Sequence, residues 1–125
     1  MLSLALALQA AAAGGSFSCA VAYVNDGDTL RCQDGTRVRL SGIDAPELPG
    51  HCQRGRDCAP GDPFAAKRAL ESLVIGQAIR CLADGRSYNR VTAWCFAGGT
   101  DLSCAMVATG RAVKWDRYWR GHRCR

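Results

Sequence analysis

The stretch DGDTLRCQDGTRVRLSGIDAPE, residues 26 to 47, decides the fold. Two turn signals, Asn25-Asp26-Gly27 and Asp34-Gly35, punctuate short runs of strand formers. Cys19 to Val24 runs out, Thr29 to Cys32 returns antiparallel, and Thr36 to Leu40 returns again. In this last run Val38 and Leu40 alternate with Arg37 and Arg39, the period-two pattern of a half-buried strand. The same stretch gathers charge, with Asp26, Asp28, Asp44 and Glu47 beside Arg37 and Arg39. Carboxylate oxygens ligate hard cations such as Ca²⁺ or Mg²⁺, and guanidinium groups grip phosphate oxygens with a planar fork of donors. Together they point to metal-assisted phosphodiester chemistry.

Such a site imposes a geometric condition. Arg39 and Asp44 are five positions apart, so one uninterrupted strand would send them to opposite faces. The strand must end or bulge between them, and Ser41-Gly42 is the natural place. Pro46 then biases Ala45 towards an extended backbone, which turns the Ala45 carbonyl outward as a further oxygen ligand.

Beyond Glu47 the segment Leu48 to Gly61 has no periodicity and reads as a loop. Asp62-Pro63 is an N-cap followed by proline in a first helical turn. Ala66, Leu70, Leu73 and Val74 recur at helical spacing until Gly76. Gln77 to Leu82 reads as a strand, Asp84-Gly85 as a turn, and Arg90 to Phe96 as another strand. Asp101 caps a helix from Leu102 to Thr109, Gly110 ends it, and Arg111 to Trp115 is a last short strand. From residues alone the class is α+β, mostly antiparallel, and five strands with helices after the third and fifth suit a small closed barrel. The tail from Asp116 is basic and aromatic: either solvated with one or two packed aromatics, or a surface on which bases stack.

With 125 residues, 48% of them hydrophobic, a single domain is expected. The net charge of +5 comes mostly from arginine and fits either a soluble surface or attraction to a polyanion such as nucleic acid. Residues 1 to 25 carry no charged side chain, and Leu2 to Ala13 is a mainly apolar run. It is too short to cross a bilayer as a helix. It reads as the apolar part of a secretory leader over 1–15, without the usual basic start, or as a buried N-terminal helix. Residues 16–125 then form the domain.

Eight cysteines agree with export into an oxidising compartment, secreted or periplasmic. Cys-x-x-Cys pairs are absent, which argues against structural zinc. Local geometry narrows the pairings. Cys19 and Cys32 flank the first hairpin, Cys52 and Cys58 can close a short loop, and Cys81 and Cys95 sit on successive strands. That leaves Cys104 with Cys124.

Asp26-Gly27-Asp28-Thr29, then Arg39, then Ile43-Asp44-Ala45-Pro46-Glu47, and finally Tyr88-Asn89-Arg90 resemble the staphylococcal nuclease (thermonuclease) family. The similarity runs from about Cys19 to Val113. The resemblance implies an OB-fold, a five-stranded barrel with two to three helices. It also implies a monomeric Ca²⁺-dependent endonuclease, not membrane-embedded, cutting DNA and RNA with little sequence preference and leaving 3′-phosphate ends. Asp28 and Asp44 match the Ca²⁺-binding aspartates, with Ala45 contributing its carbonyl. Glu47 matches the carboxylate that activates or orients water. Arg39 and Arg90 match the phosphate-binding arginines, while Arg37 is left as a surface charge or distal substrate contact. Tyr88 matches a nucleotide-contacting tyrosine, or else is a turn aromatic over the core. Asn89 stands where the family has glycine, and asparagine tolerates the positive φ such a turn needs. The rival expectations are an OB-fold module that holds single strands without cutting, and a disulfide-rich interaction protein.

Overall fold

The computed structural model describes residues 15–125, so the apolar run Leu2 to Ala13 lies outside the described residues. The chain runs β1 (Ser16–Asp26), β2 (Thr29–Cys32), β3 (Arg37–Leu40), β4 (Ile43–Asp44) and α1 (Pro63–Val74). It continues with β5 (Ala78–Ser87), β6 (Arg90–Ala97), β7 (Thr100–Asp101), α2 (Leu102–Ala108), β8 (Val113–Lys114) and α3 (Asp116–Trp119). The main sheet is ordered β3-β2-β1-β5-β6-β7. It closes on itself because β3 also pairs parallel with β6, Val38 opposite Val91 and Leu40 opposite Ala93. Strands β1, β2, β3, β5 and β6 thus form a closed five-stranded barrel.

The barrel is filled by Leu30, Val38, Leu40 and Ile79, all at 1% exposure or less, together with three fully buried half-cystines, Cys19, Cys81 and Cys95. The bonds Cys19–Cys32, Cys52–Cys58, Cys81–Cys95 and Cys104–Cys124 are those expected from local spacing. Each contributes about 2–4 kcal/mol, chiefly by restricting the unfolded chain. Four disulfides suit an oxidising environment. No helix among the described residues is long and apolar enough to cross a membrane.

Helix α1 starts where Asp62 accepts from the amides of Phe64 and Ala65, and it buries Ala66, Leu70 and Val74 on one face. It packs very closely on the turn between β1 and β2. A Cβ at Gly27 would lie 2.7 Å from the Ala45 methyl and 2.8 Å from that of Ala66. Gly27 therefore lets three elements converge at the start of the acidic cluster. Gly42 does the equivalent between β3 and β4, at φ 75° and against the Trp94 ring. The chain turns at Ser41-Gly42 as expected, and β4 then pairs with β8, Asp44 opposite Val113.

Two sequence expectations need correction. Asp84-Gly85 is no turn: β5 continues to Ser87, with a register shift between Ala83 and Gly85 against β6. Asp84 accepts a 2.6 Å hydrogen bond from Thr92 Oγ1 across the strands, so the Asp-Gly pair forms a bulge. The hairpin reverses instead at Tyr88-Asn89, and the positive φ falls on Tyr88 at 58°, not on Asn89.

Candidate active site

The end of β1 and its following turn, the strand β3 and the short strand β4 bring Asp26, Asp28, Arg39 and Asp44 together. Arg39 is the hub. Its Nη1 donates to the carbonyls of Leu40 at 3.0 Å and Ile43 at 2.9 Å, which holds the guanidinium across the Ser41-Gly42 turn. The same group lies 3.5 Å from Asp28 Oδ2 and 3.7 Å from Asp44 Oδ1. Arg39, Asp28 and Asp44 are all buried, at 8%, 5% and 9% exposure. Arg39 is therefore more internal than a half-buried strand would make it, and much of its donor fork is spent on the protein itself.

Asp28 is positioned from three sides. Its amide donates to Asp26 Oδ1 at 3.0 Å. Its Oδ1 accepts from Thr29 Oγ1 at 2.9 Å, and its Oδ2 accepts from the Ala45 amide at 2.9 Å. Ala45 is 1% exposed, so its carbonyl does not reach open solvent, contrary to the outward turn expected from Pro46. What Ala45 visibly supplies is the amide that fixes Asp28.

Arg90, at the start of β6, enters from the other side. Its Nη1 lies 3.4 Å from Thr29 Oγ1, and Thr29 in turn donates to Asp28. One hydroxyl thus separates Arg90 from the carboxylates. Ser87 holds the rest of the guanidinium through its carbonyl and hydroxyl. Among the described residues Arg90 has no ion-pair partner. Burial lowers its pKa from the ordinary arginine value, and repulsion from Arg39 lowers it further. An anion placed beside it would relieve both effects.

The carboxylates show the opposite imbalance. Burial, followed by repulsion from Asp28, pushes Asp26 up to about 7. Burial and then Asp28 also raise Asp44, although Arg56 and Arg39 pull it back. Sequence reasoning missed Arg56. Its Nη1 lies 2.7 Å from Glu47 Oε1, and its Nη2 is 3.3 Å from Asp44 Oδ1. The available signal was a basic residue inside a short Cys52–Cys58 ring just after Glu47. Thr29 was missed as the bridge between Arg90 and Asp28.

Acidic oxygens that raise one another's pKa, with two arginines already recruited to them, are chemically suited to a hard divalent cation. A second donor group is Asp101, Cys104 and His122, whose ligand atoms lie within 4.8 Å of one another and could hold a metal. There, however, Cys104 is bonded to Cys124, and His122 Nε2 pairs with Asp101 Oδ2 at 2.5 Å. Asp101 Oδ1 accepts from the Cys104 amide as the cap of α2, and His122 stacks on Trp94 at 3.6 Å. Those contacts make a clamp for the C-terminal segment, with few oxygens free for calcium.

Tyr88 is 90% exposed, away from the core, and Arg37 reaches Asn89 Oδ1 at 3.4 Å. Both stand on the rim beside Arg90 rather than among the carboxylates. A cavity of about 200 Å³ opens next to Arg39, with Arg86, Trp115, Tyr118 and Arg120 on its walls. Arg39 also lies over the Trp115 ring, 5.8 Å from its centroid.

A non-glycine residue at positive φ costs roughly 1–2 kcal/mol. Tyr88→Gly is therefore expected to raise stability by about 0.5–1 kcal/mol net of the added chain freedom. If the exposed ring stacks on a base, oligonucleotide affinity falls at the same time. Thermal melts and fluorescence anisotropy with a short single strand measure the two effects. Unchanged affinity would remove Tyr88 from the substrate surface.

The chain is 30% identical over 106 residues to an uncharacterized endonuclease from Haemophilus influenzae, an alignment covering 81% of this chain and 54% of that protein. The chain thus spans about half the length of this relative. No protein-family model matches it.

Proposed function

We propose that this protein is a secreted or periplasmic, Ca²⁺-dependent endonuclease of the thermonuclease type, built on an OB-fold barrel and hydrolysing DNA and RNA with little sequence preference. The observation that carries this reading is that one threonine hydroxyl stands between crowded carboxylates and a half-buried arginine. The carboxylates lie on one side of Thr29, and on the other lies Arg90, which has no carboxylate partner among the described residues. A phosphodiester needs both halves. The name of the bacterial relative supports the same chemistry.

In this reading Asp28 and Asp44 would hold the cation, with the Ala45 amide fixing Asp28 and Asp26 as support through the Asp28 amide. The cation, when bound, supplies Lewis-acid stabilisation of phosphate charge and acidifies water. Glu47 accepts the proton of the attacking water. Arg90 and the outer donors of Arg39 meet the phosphoryl oxygens as negative charge builds on them. Arg37 and Tyr88 guide the strand along the rim, and the product carries a 3′-phosphate.

The test is cleavage of plasmid and single-stranded DNA by the oxidised protein, with Ca²⁺ or with chelator. Degradation that stops with chelator, and falls by roughly 10²-fold or more in Glu47→Gln, is the expected result. A second reading, a nucleic-acid-binding module without catalysis, draws on the pairing of Glu47 and Asp44 with Arg56. It predicts a shifted complex that survives intact in Ca²⁺, with no strand scission.

A further inference from the structure

Between β4 and α1 the backbone loop is cross-linked by Cys52–Cys58, six residues apart in sequence. Inside that ring the Arg56 amide donates to the Gln53 carbonyl at 3.1 Å, with Gly55 at φ 81°. Glycine at the third position of such a turn is what its positive φ requires. The turn aims Arg56 back at the site, where one guanidinium meets Glu47 at 2.7 Å and both Asp44 oxygens at 3.3 and 3.5 Å. Burial opposes the charge on Arg56, but Asp44 and Glu47 outweigh it and hold its pKa above the ordinary value.

Arg56 differs from Arg39 in how it is held. Arg39 is buried and anchored on two main-chain carbonyls, so it belongs to the barrel. The Arg56 side chain is 35% exposed and sits on a loop, and among the described residues its hydrogen bonds go to the two carboxylates alone. It is not anchored on main-chain carbonyls as Arg39 is. Arg56 contacts both Asp44 oxygens, so a divalent cation binding there meets a further positive charge at close range, and like charges a few ångströms apart repel in a partly buried site.

We propose that Arg56 is a tethered internal cation that, braced on Glu47, competes with the divalent metal for Asp44, and so sets the metal concentration at which the site fills. This rests on reading Asp28 and Asp44 as the cation site. The Cys52–Cys58 bond is part of the device. A short closed ring keeps the arginine at high local concentration beside its carboxylates, and opening it spreads the loop over more conformations.

Calorimetric titration with CaCl₂ tests this on four oxidised proteins: the parent, Arg56→Gln, the Cys52→Ser/Cys58→Ser pair, and all three changes together. Thermal melts in chelator check that each is folded, and Arg56→Lys serves if the glutamine variant is not. Competition predicts that Arg56→Gln lowers the Ca²⁺ Kd by about fivefold or more, within the usual range of coupling between sites. Arg56→Lys, which keeps the charge but loses the fork, should fall between. The serine pair should shift Kd the same way by less, and add nothing once Arg56 is gone, as in a closed mutant cycle. Equal Kd values for the parent and the folded Arg56 variant overturn the proposal while leaving the cation site standing. Absence of binding of Ca²⁺, Mg²⁺ and Mn²⁺ in every protein removes the cation site, and the proposal with it.

Discussion

Arg39→Ala is expected to cost about 3–5 kcal/mol of folding stability, because it leaves two buried carboxylates facing each other. Asp28 and Asp44 both lean on that guanidinium, and the Leu40 and Ile43 carbonyls lose their donor with it. Against a typical total of roughly 5–15 kcal/mol, such a loss threatens the native state itself. Arg39→Lys should cost less, although one ammonium cannot reproduce the fork that spans both carbonyls and both acids. Urea denaturation with and without Ca²⁺ measures this. If a divalent cation binds Asp28 and Asp44, its addition should restore part of the lost stability, since binding only the native state stabilises it. A variant as stable as the parent would mean that Arg39 is a surface strand residue that holds nothing together, as the alternation of its strand alone suggests.

Arg90→Ala should behave in the reverse way. Turnover is expected to fall roughly 10²–10³-fold, the usual cost of losing a donor that acts on transition-state charge. Stability should change by about 1 kcal/mol at most, because Arg90 forms no ion pair among the described residues and its hydrogen bonds are a 3.1 Å bond to the Ser87 hydroxyl and 3.4 Å contacts to Thr29 and the Ser87 carbonyl. Its unmet charge is already opposed by burial and by Arg39, so removal relieves some strain as well. Saturating kinetics on plasmid DNA beside a melting curve separates the two quantities. A stable variant that cuts at the parental rate would take Arg90 out of the chemistry. Two arginines that look equivalent along the chain thus divide into one that holds the carboxylates together and one that, among the described residues, has no ion-pair partner.

That division shows where sequence reading reaches its limit. The cysteine pairs were legible because three are local, across hairpin flanks, a short loop and successive strands, which leaves the remaining two to each other. Helix α1 was legible because Asp62, Pro63 and Gly76 bound one apolar face. Asp84-Gly85 misled because the same dipeptide serves turns and bulges, and only the Thr92 contact across the sheet chooses between them. At the hairpin tip, residue preference placed the left-handed position on asparagine, whereas strand register places it on Tyr88. Arg56 was passed over for another reason. An aperiodic loop says nothing of where its charges point until a ring and a turn have folded them back.

The ribbon that carries Asp44 has a consequence for biogenesis. Its hydrogen-bonding partner is Val113, far downstream in the chain. During vectorial synthesis or export, Asp28 and Arg39 can meet early, but the segment bearing Asp44 lacks its backing until Lys114 has emerged. If the proposed nuclease reading holds, activity that depends on Asp44 should accordingly arise late, after most of the polypeptide has left the ribosome or translocon, so that the nascent chain would carry an unfinished site past the nucleic acids of the cell that makes it.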